Sequence, residues 1–156
     1  MNQVTEGTLK EILEAFNRHD LDAIMEFFAD DCTFDFPRGP DPWGARFVGR
    51  AQVRRGLAKR FEGIPDVHYG EDRHWLAGNR GVSEWLLTGT TRAGVPVRVR
   101  GCDLWEFRDE KVVYKDSYWK IVEQPAHGSG PLARDTPPYR PAPRGRNGLA
   151  HPCDWG

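Results

Sequence analysis

Residues Gly81–Ile121, GVSEWLLTGTTRAGVPVRVRGCDLWEFRDEKVVYKDSYWKI, read as three consecutive strands. Val82, Trp85, Leu86, Leu87, Thr88, Thr90 and Thr91 suit a half-buried pleated surface. Arg92-Ala93-Gly94 interrupts the run, and the glycine adopts a positive φ at little cost. The next run, Val95–Phe107, alternates: Val97, Val99, Gly101, Asp103, Trp105 and Phe107 share one face, and Arg98, Arg100, Cys102, Leu104 and Glu106 share the other. Asp109-Glu110-Lys111 turns the chain into a third run, Val112–Ile121. Short turns between long strands imply an antiparallel meander. Asp103 is the exception in it, a carboxylate in mid-strand on the aliphatic and aromatic face.

Working outward, Asp66–Leu76 reads as a preceding strand, joined to the meander by a tight turn at Ala77-Gly78-Asn79. Gly49–Phe61 reads as a helix with Val53, Leu57 and Phe61 inward and Arg54, Arg55, Lys59 and Arg60 on its wet face. Before it come a strand over Cys32–Phe36, a loop over the proline-rich Pro37–Gly44, and a brief strand at Phe47-Val48. Thr8-x-x-Glu11 has capping-box spacing and is taken to start the first helix, with a stripe of Leu9, Ile12, Leu13 and Phe16. Asp20 is the expected N-cap of a short second helix carrying Leu21, Ile24, Phe27 and Phe28. The order is α+β. Residues 124–156 differ from the rest: they hold seven of the twelve prolines and lack apolar periodicity. They are expected to form an irregular tail beside a domain over 1–123; were the tail instead an integral cover, Tyr139 or Trp155 would be its anchor.

At 156 residues the chain suits one domain, and its net charge of −1 excludes a strong nucleic-acid field. No apolar run approaches a membrane span. Three cysteines without a CxxC pair point to reduced thiols and a cytoplasmic setting. His127, His151 and Cys153 lack metal-ligand spacing, and no phosphate loop or nucleophile motif is present, so neither cofactor nor metal is expected.

Several short segments together resemble a known family. They are Asn17-Arg18-His19-Asp20-Leu21-Asp22-Ala23-Ile24, Phe28-Ala29-Asp30-Asp31-Cys32-Thr33-Phe34, Gly49-Arg50-Ala51-Gln52-Val53, Gly101-Cys102-Asp103-Leu104-Trp105-Glu106-Phe107 and Tyr118-Trp119. Their order and spacing resemble the nuclear transport factor 2-like superfamily, in its SnoaL-like and ketosteroid isomerase-like branch. The resemblance implies a cone: a curved antiparallel sheet wrapped around three N-terminal helices, with a pocket in the concave face and homodimerisation through the convex one. It implies no single activity, because the fold hosts isomerases, cyclases, dehydratases, hydrolases and binders.

The resemblance places Asp103 where ketosteroid isomerases hold the aspartic acid that donates to the oxyanion. Its apolar face disfavours the charged form, so a neutral hydrogen-bond donor is expected. A two-residue turn at Ala93-Gly94 would set Glu84 opposite Asp103; a bulge would instead turn Trp85 inward. The isomerase base position is held by Phe36, with Asp35 on the opposite face, and the tyrosine position falls near Ile12, so steroid isomerisation is not expected. The catalytic aspartate of SnoaL-like cyclases falls at Ser117, with Asp116 beside it, and which of the two faces inward stays open. So does the choice among Arg73, His74 and Trp75 on the strand before the meander. Candidate catalytic residues are Asp103, Glu84 and His74. Candidate substrate-binding residues are Phe34, Phe36, Trp43, Trp105, Ser117 and Trp119, since apolar walls around a few polar groups describe a small-molecule pocket. The expected function is a cofactor-free isomerase, cyclase, dehydratase or hydrolase acting on an apolar cyclic or carbonyl-bearing molecule. The alternative is a non-catalytic ligand-binding or interaction module. No nucleic-acid or membrane partner is expected.

Overall fold

The computed structural model describes residues 3–123. The expected tail, with Tyr139, Trp155, His127, His151 and Cys153, lies outside the described residues. Helix α1 spans Glu6–Asn17. It starts ahead of Thr8 because Thr5 is the cap: Thr5 Oγ1 accepts from the Thr8 amide at 3.2 Å, and the Thr5 amide donates to Thr8 Oγ1 at 3.1 Å. The box is therefore reciprocal but built from two threonines, not from Thr8 and Glu11. Asp20 caps α2, Leu21–Glu26, as expected, accepting from the Ala23 amide at 3.0 Å. The α1 stripe of Leu9, Ile12, Leu13 and Phe16 is buried against the sheet. Each such side chain stabilises the fold by about 1.5–3 kcal/mol.

The chain then forms β1 (Phe28–Asp41), β2 (Gly44–Val48), α3 (Arg50–Gly63), β3 (His68–Ala77), β4 (Arg80–Thr90), β5 (Pro96–Arg108) and β6 (Lys111–Trp119). The expected loop at Pro37–Gly44 is instead the far end of β1, which turns at Pro42-Trp43 into β2. Proline is tolerated there because β1 pairs with β6 only as far as Asp35 and its ladder with β2 is irregular between Phe36 and Asp41.

The sheet order is β2-β1-β6-β5-β4-β3. The meander β3–β6 is antiparallel, as its turns imply, and β1 joins β6 in parallel. The unclosed sheet curves around the helices, and the core lies in its concave face. Among the described residues no helix is long and apolar enough to cross a membrane.

Three irregularities decide which side chains enter the cone. Between β4 and β5 the loop is Thr91–Val95, an odd number of residues, because the Thr91 amide closes onto the Val95 carbonyl at 2.9 Å. Every partner therefore shifts by one from the two-residue expectation, and Ser83 rather than Glu84 faces Asp103. A bulge in β3 at Glu71, whose φ is 49°, turns His74 inward and Arg73 and Trp75 outward. A further bulge in β6, between the Glu106–Tyr114 and Phe107–Val112 pairs, lets Val112 and Lys115 both face the core.

Candidate functional site

On the concave face β5 contributes Asp103 and β6 contributes Ser117, directly across the ladder from it, and Lys115, opposite Trp105. Their relative exposures are 3 %, 4 % and 7 %. Lys115 Nζ donates to Asp103 Oδ1 and, at 2.6 Å, to Ser117 Oγ; the Ser117 hydroxyl donates to the same Oδ1 at 2.5 Å. The Trp85 indole N–H donates to Oδ2 at 3.0 Å. Trp85 reaches that oxygen because its partner on β5 is Gly101, where a side chain's Cβ would stand 2.5 Å from the indole ring. The Lys115 ammonium also lies 4.9 Å from the Phe34 ring centroid and 5.0 Å from that of Trp105. Burial holds Lys115 below the ordinary lysine range, against the pull of the Asp103 carboxylate.

A second polar group lies beside this one. The Trp105 indole N–H donates to Ser83 Oγ at 2.9 Å, and Ser83 Oγ is 2.9 Å from His74 Nδ1. His74 Nε2 lies 2.8 Å from Asp72 Oδ2, which also accepts from Lys10 at 2.7 Å. From α3, the Arg60 guanidinium lies 4.2 Å from the Trp119 ring and 4.6 Å from the Phe36 ring. The Tyr69 hydroxyl is its polar neighbour. Burial pushes the Tyr69 phenol up to about 12, with the Arg60 charge working the other way. Among the described residues no three His, Cys, Asp or Glu side chains gather as metal ligands.

The structure therefore brings together Asp103, Ser117, Trp105, Phe34, Phe36 and Trp119. His74 joins their face through Ser83, one step away from Asp103. Glu84 does not join them: it pairs with Cys102 and lies on the convex face, where it binds Arg73 at 2.8 Å and Arg100. Trp43 does not either; it is 48 % exposed at the β1–β2 hairpin, its ring 5.1 Å from the Arg46 guanidinium. Arg46 in turn grips the fully buried Asp35, which also accepts from the Tyr114 hydroxyl at 2.6 Å. Burial works to raise the Asp35 carboxyl, but Arg46 and Tyr114 together hold it below its ordinary range. Asp116 lies on the convex side and Ser117 on the concave one.

The expectation of Asp103 as a neutral donor was formed without a cation on its face, and Lys115 stands against it. Lys115, Arg60 and Tyr69 were not expected here. Arg60 was assigned to the wet face of α3, yet it follows Val53 and Leu57 at helical spacing of seven and three, so its position is on the inward stripe. Lys115 shares the alternation of Ser117 and Trp119, a signal that the β6 bulge obscures.

A curved six-stranded sheet wrapped around helices, with its polar groups gathered on the concave face, defines a cone of the nuclear transport factor 2-like type. The family model for the SnoaL-like domain matches residues 9–115, and the chain belongs to that family. Among solved structures it is similar to a candidate polyketide cyclase of Xanthomonas campestris (23 % identity, TM-score 0.65, covering 73 % of this chain and 88 % of that one). A candidate polyketide cyclase of Pseudomonas putida superposes with a TM-score of 0.68 at 15 % identity, over 77 % of this chain and 94 % of that one. A protein with a ketosteroid isomerase-like fold from Catenulispora acidiphila, in complex with trimethylamine, does so at 0.66 and 22 % identity, over 76 % and 88 %. At these identities the likeness is one of fold. No curated protein matches.

Proposed function

We propose that the concave face is a small-molecule site in which the Asp103–Lys115 pair performs acid–base chemistry without a cofactor on an apolar, carbonyl-bearing substrate. The reaction class is isomerase- or cyclase-like. One observation carries the reading. The Lys115 ammonium has three N–H groups, of which two are committed to Asp103 and Ser117. The third has no hydrogen-bond acceptor among the described residues and stands among aromatic rings. A substrate oxygen at that position would receive a charge-assisted hydrogen bond as negative charge develops on it. Asp103 is then the proton acceptor, and Ser117, bonded to both partners, is the link between them. The role differs from that of a neutral acid: here the stabilising charge is a full positive one. Phe34 and Trp105 form the apolar wall, with Phe36 and Trp119 nearer the opening.

Membership of the SnoaL-like family supports a small-molecule role. The enclosure of Asp103 and Lys115 favours a second reading, a non-catalytic binder in which the pair serves to hold the core together. Proton exchange separates the two. Small cyclic ketones that shift the Trp85 and Trp105 indole N–H resonances would be incubated with the protein in deuterated water. Exchange of their α-hydrogens, lost in Lys115→Met, supports the enzyme. Binding without exchange establishes the binder. Ketones that shift only convex-face resonances such as Trp75 would refute a concave site.

The partner proposed for the convex face is a second copy of the chain. That face exposes Trp75, Leu104 and Tyr118, and Trp75 and Leu104 border a groove of about 240 Å³ that Val82 and Tyr114 also line. Both charge signs alternate around it, through Arg80, Glu106, Arg73, Glu84 and Arg100. Such a surface can be complementary to itself across a two-fold axis.

A further inference from the structure

Several arginines on the outside of the domain are paired with carboxylates. Arg46 binds Asp35, Arg50 binds Glu26, Arg54 binds Asp22, Arg80 binds Glu106 and Arg108 binds Asp31. Several of them are well exposed, Arg80 at 72 % and Arg108 at 56 %, where a partner matters least. Arg60 differs from these. It is drawn into the cone from α3, its guanidinium against the rings of Phe36 and Trp119. No carboxylate lies within ion-pair distance of it among the described residues. Its polar neighbour there is the neutral Tyr69 hydroxyl, and burial weighs against its charge. The Asp103 carboxylate favours that charge from beyond ion-pair distance, and Arg38 on β1 opposes it.

A guanidinium carries five N–H donors in a planar fork. Withdrawing one from water without an anion costs more than withdrawing a paired one. Two guanidiniums converge here against aromatic rings, with the Asp103 carboxylate acting only from beyond ion-pair distance, so a negative charge bound at this position would be stabilised. We infer that Arg60, at the mouth of the cone, is the anion-recognition residue of the site, and that its ligand is a planar aromatic or polycyclic acid whose carboxylate seats on the guanidinium fork. The acid's apolar body would extend inward along Phe34 and Trp105 toward Lys115. A carboxylate suits the fork because it accepts two parallel N–H bonds. A planar body suits the walls because they are aromatic rings. The inference rests on the proposed concave site and adds the substrate's chemical class to it.

The test uses the full chain and two probes of one shape, 2-naphthoate and 2-naphthamide, titrated by calorimetry. The charged probe is expected to bind at least about 10-fold tighter than the neutral one. Arg60→Gln is expected to remove that preference by weakening the naphthoate at least about 10-fold, with the naphthamide changed less than about threefold. Arg60→Lys keeps the charge but not the fork, so it should restore part of the preference; it also serves if the glutamine variant folds poorly. Circular dichroism checks both variants. Equal binding of the two probes to the parent, or a preference that persists in Arg60→Gln, overturns the assignment of Arg60 while leaving the concave site standing. Binding of neither probe at millimolar concentration overturns both.

Discussion

Replacing Lys115 by methionine is expected to destabilise the fold by about 3–5 kcal/mol, the usual cost of leaving one buried charge behind. The geometry supports the full figure. The Lys115 and Asp103 side chains are each 5 % exposed, so solvent screening offers no relief. After the substitution Asp103 keeps the Ser117 hydroxyl and the Trp85 N–H but loses its cation. Asp103→Asn is expected to cost a comparable amount, because it strands the ammonium. The double variant Asp103→Asn/Lys115→Met should return to within about 1 kcal/mol of the parent. Asparagine still accepts from Trp85, Ser117 can reverse its hydroxyl, and methionine fills the space among Phe34, Phe16 and Trp105. The coupling energy is then about 3 kcal/mol or more. Urea unfolding followed by tryptophan emission and circular dichroism measures all four chains, and unchanged m-values license the comparison. Lysine's folded value lies below its unfolded one, so the unfolded chain binds more protons between the two. Parent stability should therefore rise with pH through the window that ends near 10.5, and Lys115→Met should lack this term. A Lys115→Met chain within about 1 kcal/mol of the parent would show that the ammonium is not paired as described.

Tyr69 is raised from 10.0 to about 12, so it contributes stability below pH 10 that is lost as pH climbs to about 12. That loss is about 2–3 kcal/mol, and Tyr69→Phe should remove it, as urea midpoints on either side of the window would show. Leu104 is 39 % exposed on the convex face, and Leu104→Arg should convert the proposed dimer to a monomer. Sedimentation at micromolar concentration decides this, and a parent that is already monomeric removes the proposal. A chain ending at Glu123 is expected to keep the circular dichroism and thermal midpoint of the full chain, because the tail has no apolar periodicity. Loss of cooperative unfolding in the shorter chain would make residues 124–156 part of the fold.

The architecture could be read from the chain because its signals are local and repeated. The alternation in Val95–Phe107 put Asp103 inside and Arg98, Arg100 and Glu106 outside, and so they lie. Asp109-Glu110 turns with both residues at positive φ, 48° and 65°, which makes the tight hairpin that the break in pattern implied. The site was harder to read because it depends on single-residue shifts. One loop of odd length exchanged Glu84 for Ser83 and Trp85, and one bulge at Glu71 selected His74. Neither carries a signature in composition. Glu71 is a non-glycine residue in a left-handed conformation, which nothing local to it demands. Lys115 was hidden in the same way, since Val112 and Lys115 are three residues apart and cannot share a face of an unbulged strand. Arg60 was misplaced because its charge outweighed its helical position. Trp43 was counted with the pocket for its ring alone, although it lies in the hairpin turn beside Arg46.

The tryptophans tie these shifts to the chemistry. Ser83 and Asp103 are direct partners across β4 and β5, and each receives an indole N–H from the other's strand: Trp105 on β5 serves Ser83, and Trp85 on β4 serves Asp103. Each indole stands opposite a glycine, Gly81 or Gly101. A slip of one residue between the strands would leave two buried indole N–H groups without acceptors and the Asp103 carboxylate with only its β6 donors. At about 1–3 kcal/mol for each N–H group, the registered arrangement is strongly preferred. Because Ser83 Oγ accepts from Trp105, its own hydrogen is available to His74 Nδ1, which leaves Nε2 to carry the ring hydrogen toward Asp72. A buried ion pair is weak ground for stability. In this cone the polar groups instead hold two large rings in one orientation and leave a single ammonium N–H uncommitted. In the proposed reaction that N–H is the group a substrate oxygen would reach, past the half-buried Arg60 and Trp119.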